Sequence, residues 1–155
     1  MIRKETYPLK SFEQIKSHLT AFGLKATHQR LVVFDALQKM EYHPSAEDIY
    51  ALVQPENPTI SLATVYNTLD SFAEAQVISR VLTEEGKNRY DFDTASHHHI
   101  YLTNTNEIID YHDPELQELI ENYLKKKNIN NLEIKELQLH IKAEKIDIEK
   151  DIRIN

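Results

Sequence analysis

Residues 61–92 have the sequence SLATVYNTLDSFAEAQVISRVLTEEGKNRYDF, and the pattern in this stretch decides the fold. After Ser61, a typical N-cap residue, apolar side chains recur at helical spacing: Leu62, Val65, Leu69 and Phe72. Two short extended runs, 77–83 and 89–92, then flank a polar turn that contains Gly86, and this arrangement is typical of a β-hairpin. A capped helix followed directly by a hairpin is the order of a winged helix, in which that helix lies in the DNA major groove.

Three further helices are predicted upstream of residue 61. The first has apolar residues at helical spacing and a stop at Gly23: Phe12, Ile15, Leu19 and Phe22. Thr27 is positioned to cap a second helix. Ser45 and Asp48 form an S-x-x-D capping pattern that opens a third. Helices followed by a hairpin therefore favour a winged helix-turn-helix domain over residues 1–92.

The pattern changes after residue 93. Strands are predicted at 97–103, 107–112 and 134–141, with a helix capped by Asp113 between the second and third. We assign an α+β fold: the winged-helix domain, a hinge at 93–96 and a small C-terminal α/β dimerisation domain at 97–155. The second domain is short for a free-standing core, so we expect it to pack against a second copy in a homodimer.

Composition limits the possible functions. The chain has no cysteine, so it has no disulfide, thiolate zinc site or iron–sulfur cluster, and a bound metal must be held by imidazole and carboxylate groups. The net charge is −7, but 16 of the 25 acidic residues lie in residues 81–155. Six basic residues face two acids in residues 1–30, which is compatible with DNA binding. No apolar run approaches the roughly 20 residues of a membrane span, so we expect a cytoplasmic protein without a membrane partner.

A histidine cluster is the most informative chemical feature. His97, His98 and His99 are consecutive, with Asp91 six residues before His97 and Asp110 eleven residues after His99. On a strand, side chains alternate between faces, so His97 and His99 point one way and His98 the other. Two imidazoles and nearby carboxylates can bind one ion. The simpler interpretation is a polar surface patch or a cloning remnant.

Five segments of this chain resemble the ferric uptake regulator family, in the family's order and over about residues 11–145. They are Gly23-Leu-Lys-Ala-Thr-His-Gln-Arg30, His43-Pro-Ser-Ala-Glu-Asp-Ile-Tyr50, Ile60-Ser-Leu-Ala-Thr-Val-Tyr-Asn67-Thr-Leu69, Arg89-Tyr-Asp-Phe92 and His97-His-His99. The resemblance implies a metal-dependent, DNA-binding transcriptional repressor, not an enzyme. It also implies a regulatory ion held by five residues: His43, Asp91, His97, His99 and Asp110.

The resemblance also bears on the metal and the signal. Three imidazoles and two carboxylates suit Fe(II) or Mn(II), although zinc accepts such ligands too. Aspartate at both acidic positions resembles the peroxide-sensing branch, in which the histidines at positions 43 and 97 are oxidised on Fe(II) and DNA is released. Regulation by the level of iron or another divalent metal is the alternative. The C-x-x-C pairs that bind structural zinc in many members are missing, since Leu102 and Thr105 occupy the first pair.

Candidate contacts to double-stranded operator DNA follow from the same resemblance. On the fourth helix, hydroxyls and apolar groups are candidates for backbone, base and thymine-methyl contacts: Ser61, Ala63, Thr64 and Tyr66. Tyr66 can alternatively belong to the core. Phosphate contacts are predicted from the second helix and the wing: Lys25, Thr27, Arg30, Lys87 and Arg89. Each basic residue can instead be a solvated surface charge. A non-haem metalloenzyme and a winged-helix module without metal sensing are the competing functions.

Overall fold

The computed structural model describes residues 9, 11–83 and 86–154. It divides after Ala95 into two compact units. The first contains four helices, α1 (Phe12–Ala21), α2 (His28–Lys39), α3 (Ala46–Val53) and α4 (Leu62–Glu74), followed by the hairpin strands β1 (Ser79–Leu82) and β2 (Asn88–Asp91). The second contains β3 (His98–Leu102), β4 (Glu107–Tyr111), α5 (Pro114–Lys126) and β5 (His140–Ala143). The predicted α+β class is confirmed.

Local capping explains where the helices of the first unit begin. The side chains of Thr27, Ser45 and Ser61 each accept a hydrogen bond from the backbone N–H three residues further on, as predicted. At Ser45 the capping box is complete. The helix α1 ends before Gly23, whose φ of 77° lies in the left-handed region that glycine adopts without strain.

One apolar cluster forms the core of the first unit. It gathers buried side chains from all four helices and from the start of the hairpin, and Phe34 and Phe72 meet edge to face with ring centroids 5.8 Å apart. In the hairpin, Ser79 pairs with Asp91 and Leu82 with Asn88. Glu84 and Glu85 of the predicted turn lie outside the described residues, as do the basic residues Arg3, Lys4 and Lys10.

The second unit has a three-stranded sheet in the order β4-β3-β5. The strands β3 and β4 form an antiparallel hairpin, and β5 runs parallel to β3. The prediction of a strand at 134–141 is wrong for most of its length, because the structure places β5 at His140–Ala143. In the register of the sheet, β5 pairs with His99 to Leu102 of β3, and the predicted strand residues before His140 lie outside β5.

Within the described part of the chain, every helix is too short or too polar to span a lipid bilayer.

The central histidine of the cluster connects β3 to the residue before β5 by a hydrogen bond. His98 is 1% exposed, and its Nδ1 accepts the backbone N–H of Leu139 at 3.2 Å. Burial lowers the pKa of His98 below its ordinary value, because the charged imidazolium would lose its hydration. The neutral ring is therefore the form that the folded chain favours, and it is also the form whose Nδ1 can accept.

We expect His98 to make the metal-free protein less stable in acid. Below about pH 6.5 the unfolded chain takes up a proton that folded His98 resists, so the free energy of unfolding falls with pH. In His98→Asn, the Asn Oδ1 can replace Nδ1 as acceptor but does not titrate. Urea unfolding with a chelator, from about pH 7.5 to about pH 5.5, should show a smaller loss for His98→Asn than for the parent chain. Equal losses would contradict this assignment.

Candidate metal centre

In the first unit, His43 and Asp91 lie side by side although 48 residues separate them. His43 precedes α3, and Asp91 is the last residue of β2. The backbone N–H of Tyr90 donates to the carbonyl of Pro44 at 3.0 Å, and this bond holds the two segments together. As a result, His43 Nε2 and Asp91 Oδ2 are 3.3 Å apart.

The two carboxylate oxygens of Asp91 have different neighbours. Its Oδ1 accepts the backbone N–H of Asp93 at 2.8 Å, while Oδ2 faces His43. Asp93 in turn accepts the N–H of Ala95 through its own Oδ1 at 3.1 Å. This chain of turns orients the Asp91 carboxylate. Asp93 is not among the residues predicted for the site, although the close spacing of two aspartates at 91 and 93 is a signal for it in the sequence.

In the second unit, strand pairing brings together His97, His99 and Asp110. His99 on β3 lies directly opposite Asp110 on β4. The Asp110 Oδ1 lies 3.2 Å from His97 Nε2 and 3.6 Å from His99 Nε2. The two histidine Nε2 atoms are 3.1 Å apart. His97 itself precedes the strand, which begins at His98, yet its ring lies on the same side as that of His99.

These distances suit ligands of a metal ion. Ligand atoms about 2.1 Å from one ion and at right angles to each other lie about 3 Å apart. The separations within the second unit, 3.1 to 3.6 Å, and the 3.3 Å between His43 and Asp91 are close to that value. Imidazole nitrogen and carboxylate oxygen are donors that divalent iron, manganese and zinc all accept. Each unit therefore contains a set of side chains with the spacing and chemistry of metal ligands.

Further histidines surround the second-unit set. The ring of His112 stacks on that of His97 with centroids 5.0 Å apart, and the ring of His140 lies 5.7 Å from that of His99. His112 lies two residues beyond Asp110, which is the spacing that marks residues on one face of a strand.

The candidate DNA-contacting residues of α4 lie at its N-terminus and on its exposed side. The hydroxyls of Ser61 and Thr64 are 2.9 Å apart, and Ala63 is exposed. Tyr66 is 38% exposed, so it is not a core residue. Its phenol donates to Glu47 Oε1 on α3 at 2.8 Å. This bond lowers the pKa of the Glu47 carboxyl, so Glu47 is charged beside the candidate reading helix.

The candidate phosphate contacts have different surroundings. Thr27 caps α2, and Arg30 Nη1 donates to the carbonyl of Lys25 at 2.8 Å. Lys87 is exposed on the wing. Arg89 is instead paired within its own unit, because its Nη1 lies 3.1 Å from Asp48 Oδ2. Arg30 and Arg89 thus both make contacts within their own unit, and the phosphate contacts of these residues stay predictions.

Comparison with known proteins is consistent across sequence and structure. Residues 21–142 match the model of the ferric uptake regulator family. Over 107 residues the chain is 33% identical to the peroxide-responsive repressor PerR of Staphylococcus epidermidis, and the alignment covers 69% of this chain and 71% of that protein.

Two ferric uptake regulators are among the solved structures whose fold is similar. The ferric uptake regulator of Vibrio cholerae has 28% identity and a TM-score of 0.71, and the match covers 84% of this chain and 98% of that chain. The ferric uptake regulator of Pseudomonas aeruginosa with manganese has 27% identity and a TM-score of 0.71, and the match covers 85% of this chain and 98% of that chain.

The family model covers most of the chain, and the match extends into both units. The five sequence motifs all lie within that range. Because the chain has no cysteine, it has no cysteine-bound structural zinc site. The chain is a member of the ferric uptake regulator family, whose proteins are metal-dependent transcriptional regulators and not enzymes.

Proposed function

We propose that this protein represses transcription by binding operator DNA when a regulatory divalent ion is bound. The observation that carries the proposal is the convergence of ligand atoms in each unit, at 3.3 Å in the first and 3.1 to 3.6 Å in the second. The proposed ligands are the five residues that the family resemblance implies: His43, Asp91, His97, His99 and Asp110.

The regulatory effect follows from the division of these ligands between two units. His43 and Asp91 belong to the DNA-binding unit, and the other three belong to the second unit. If both sets bound one ion, the two units would be held in one relative orientation, with residues 93–96 as the hinge. A bound ion would then shift the population of conformations towards that orientation, because the protein binds the ion more tightly in it than in others.

We propose that the DNA-binding form is a cytoplasmic homodimer whose two α4 helices enter successive major grooves. The dimer fixes the spacing of these helices. The amphipathic helix α5 supports this proposal, since none of its residues is buried, and Leu119 and Tyr123 are 67% and 57% exposed. A second copy that covered this face would bury the apolar surface that a small unit cannot bury alone.

We propose that the signal is peroxide. Two observations favour it: both acidic ligands are aspartate, and the PerR protein matched above is peroxide-responsive by name. Reduced iron, when bound, supplies the redox chemistry by which peroxide transfers one oxygen atom to an imidazole carbon and leaves as water. Oxidation of His43 or His97 would alter a ligand in one of the two sets. The two units would then no longer be held in their DNA-binding orientation. Regulation by metal level alone is the second candidate, and the similarity to the manganese-containing regulator supports it.

Loss of one ligand should weaken both metal and DNA binding. In His97→Ala we expect the Mn(II) affinity to fall at least about tenfold, because even the outer partners of a ligand contribute that much. Operator binding at fixed salt should be lost at the Mn(II) concentration that saturates the parent protein. Mn(II) titration and a DNA mobility shift measure the two effects.

The matched control is His140→Ala, which removes a neighbouring imidazole outside the proposed ligand set. This variant should bind Mn(II) and DNA like the parent. If His97→Ala bound DNA as tightly as the parent at every Mn(II) concentration, the proposed sensing role would be wrong.

Peroxide treatment should separate the two candidate signals. Peptide mass spectrometry of the Fe(II)-loaded protein should detect one added oxygen atom on His43 or His97, with parallel loss of DNA binding. The Mn(II)-loaded protein is the control and should stay unmodified. Unmodified histidines with intact DNA binding in the Fe(II) form would instead favour regulation by metal level.

A further inference from the structure

Three contacts connect the segment 43–45 and the start of α3 to β2. His43 faces Asp91 at 3.3 Å, and Pro44 accepts the N–H of Tyr90 at 3.0 Å. Ser45 is linked to the third position, Arg89, through the carboxylate of Asp48. Along the chain from 43 to 45, the linked residues of β2 run in the reverse order, from 91 to 89. The two proposed metal ligands of this unit are therefore at one end of a row of three contacts.

At the other end of this row, a single carboxylate oxygen links Ser45 to Arg89. Asp48 Oδ2 accepts the backbone N–H and the hydroxyl of Ser45, both at 2.8 Å. The same oxygen accepts Nη1 of Arg89 at 3.1 Å. Charge-assisted hydrogen bonds of this kind are stronger than neutral ones. One oxygen thus joins the cap of α3 to the strand β2.

The pair of Arg89 and Asp48 is less exposed than the other arginine–aspartate pair of the same hairpin. The side chains of Arg89 and Asp48 are 25% and 36% exposed, whereas a second arginine–aspartate pair on the same hairpin, Arg80 with Asp70, is 38% and 48% exposed. Exposed pairs of the second kind contribute little. Arg80 donates to α4, and the contacts described for it do not involve the segment 43–45.

We propose that Arg89 is a positioning residue for the metal site and acts through Asp48 and Ser45. Without its guanidinium, the segment 43–45 loses its link to β2 through Asp48 and keeps the Pro44–Tyr90 bond and the His43–Asp91 contact, so His43 is freer to move away from Asp91. The role deepens the proposed function and rests on it. It differs from the phosphate contact that the sequence predicts for Arg89, because the guanidinium here serves ligand geometry.

The test compares Arg89→Gln, Arg89→Lys and Arg80→Gln in the full-length, metal-stripped protein. Mn(II) titration should show about tenfold weaker binding for Arg89→Gln, the lower end of what outer partners of a ligand contribute. Arg89→Lys should recover part of that loss, because an ammonium can still donate to Asp48, although not as a planar fork. Arg80→Gln makes the same chemical change in the same hairpin and should bind Mn(II) like the parent.

Two further readouts separate positioning from other roles of Arg89. At saturating Mn(II), the operator affinity of Arg89→Gln and its salt dependence should match the parent, whereas loss of a phosphate contact would reduce the salt slope by about one. At saturating Co(II), the visible spectrum of Arg89→Gln should differ from the parent because the ligand geometry has changed. A core variant of reduced stability, Ile15→Val, should leave that spectrum unchanged.

The outcomes are distinguishable. Parent-like Mn(II) affinity in Arg89→Gln, or an equal loss in Arg80→Gln, would overturn the positioning role and leave the proposed function standing. A parent protein that bound no Mn(II) would overturn both. If Arg89→Gln did not fold, as judged by circular dichroism, folded Arg89→Lys should still show weaker Mn(II) binding than the parent, and parent-like binding would reject the proposal.

Discussion

Strand register is the constraint on which the rest of the site depends. In the antiparallel pair of β3 and β4, His99 lies opposite Asp110, and a shift of one residue would turn every side chain to the other face. The same alternation sends His98 to the opposite side, where it accepts the N–H of Leu139. The hairpin thus divides three consecutive histidines between two tasks: two lie with Asp110, and one holds the edge of the sheet.

The first unit reaches a similar result by a different route. His43 is not on a strand, but the segment that carries it pairs with β2 through one backbone bond and one shared carboxylate. The capping box of α3 therefore has a second function besides starting a helix. It fixes the segment before the helix, and with it the position of His43 relative to Asp91. Helix initiation and ligand geometry depend on the same aspartate.

The absence of cysteine changes how the second unit can be stabilised. Structural zinc contributes directly to folding where thiolates bind it, and this chain cannot use that contribution. Its small sheet and the exposed apolar face of α5 leave much apolar surface uncovered within one copy. The proposed association of two copies would cover this surface and so stabilise a unit of this size.

Local chemistry allowed the sequence by itself to determine much of this protein. It predicted the four helices of the first unit, three of their caps, the hairpin, and the strand alternation that turns His98 away from His97 and His99. Caps and alternation act over a few residues, so their signals are contiguous in the chain. Only the tertiary structure decided the position of β5, the exposure of Tyr66 and the pairing of Arg89 with Asp48. These depend on contacts between residues far apart in the chain, 41 positions in the case of Arg89 and Asp48. Periodicity cannot report such a contact, because the fold and not the neighbouring residues supplies the backbone partner or the carboxylate.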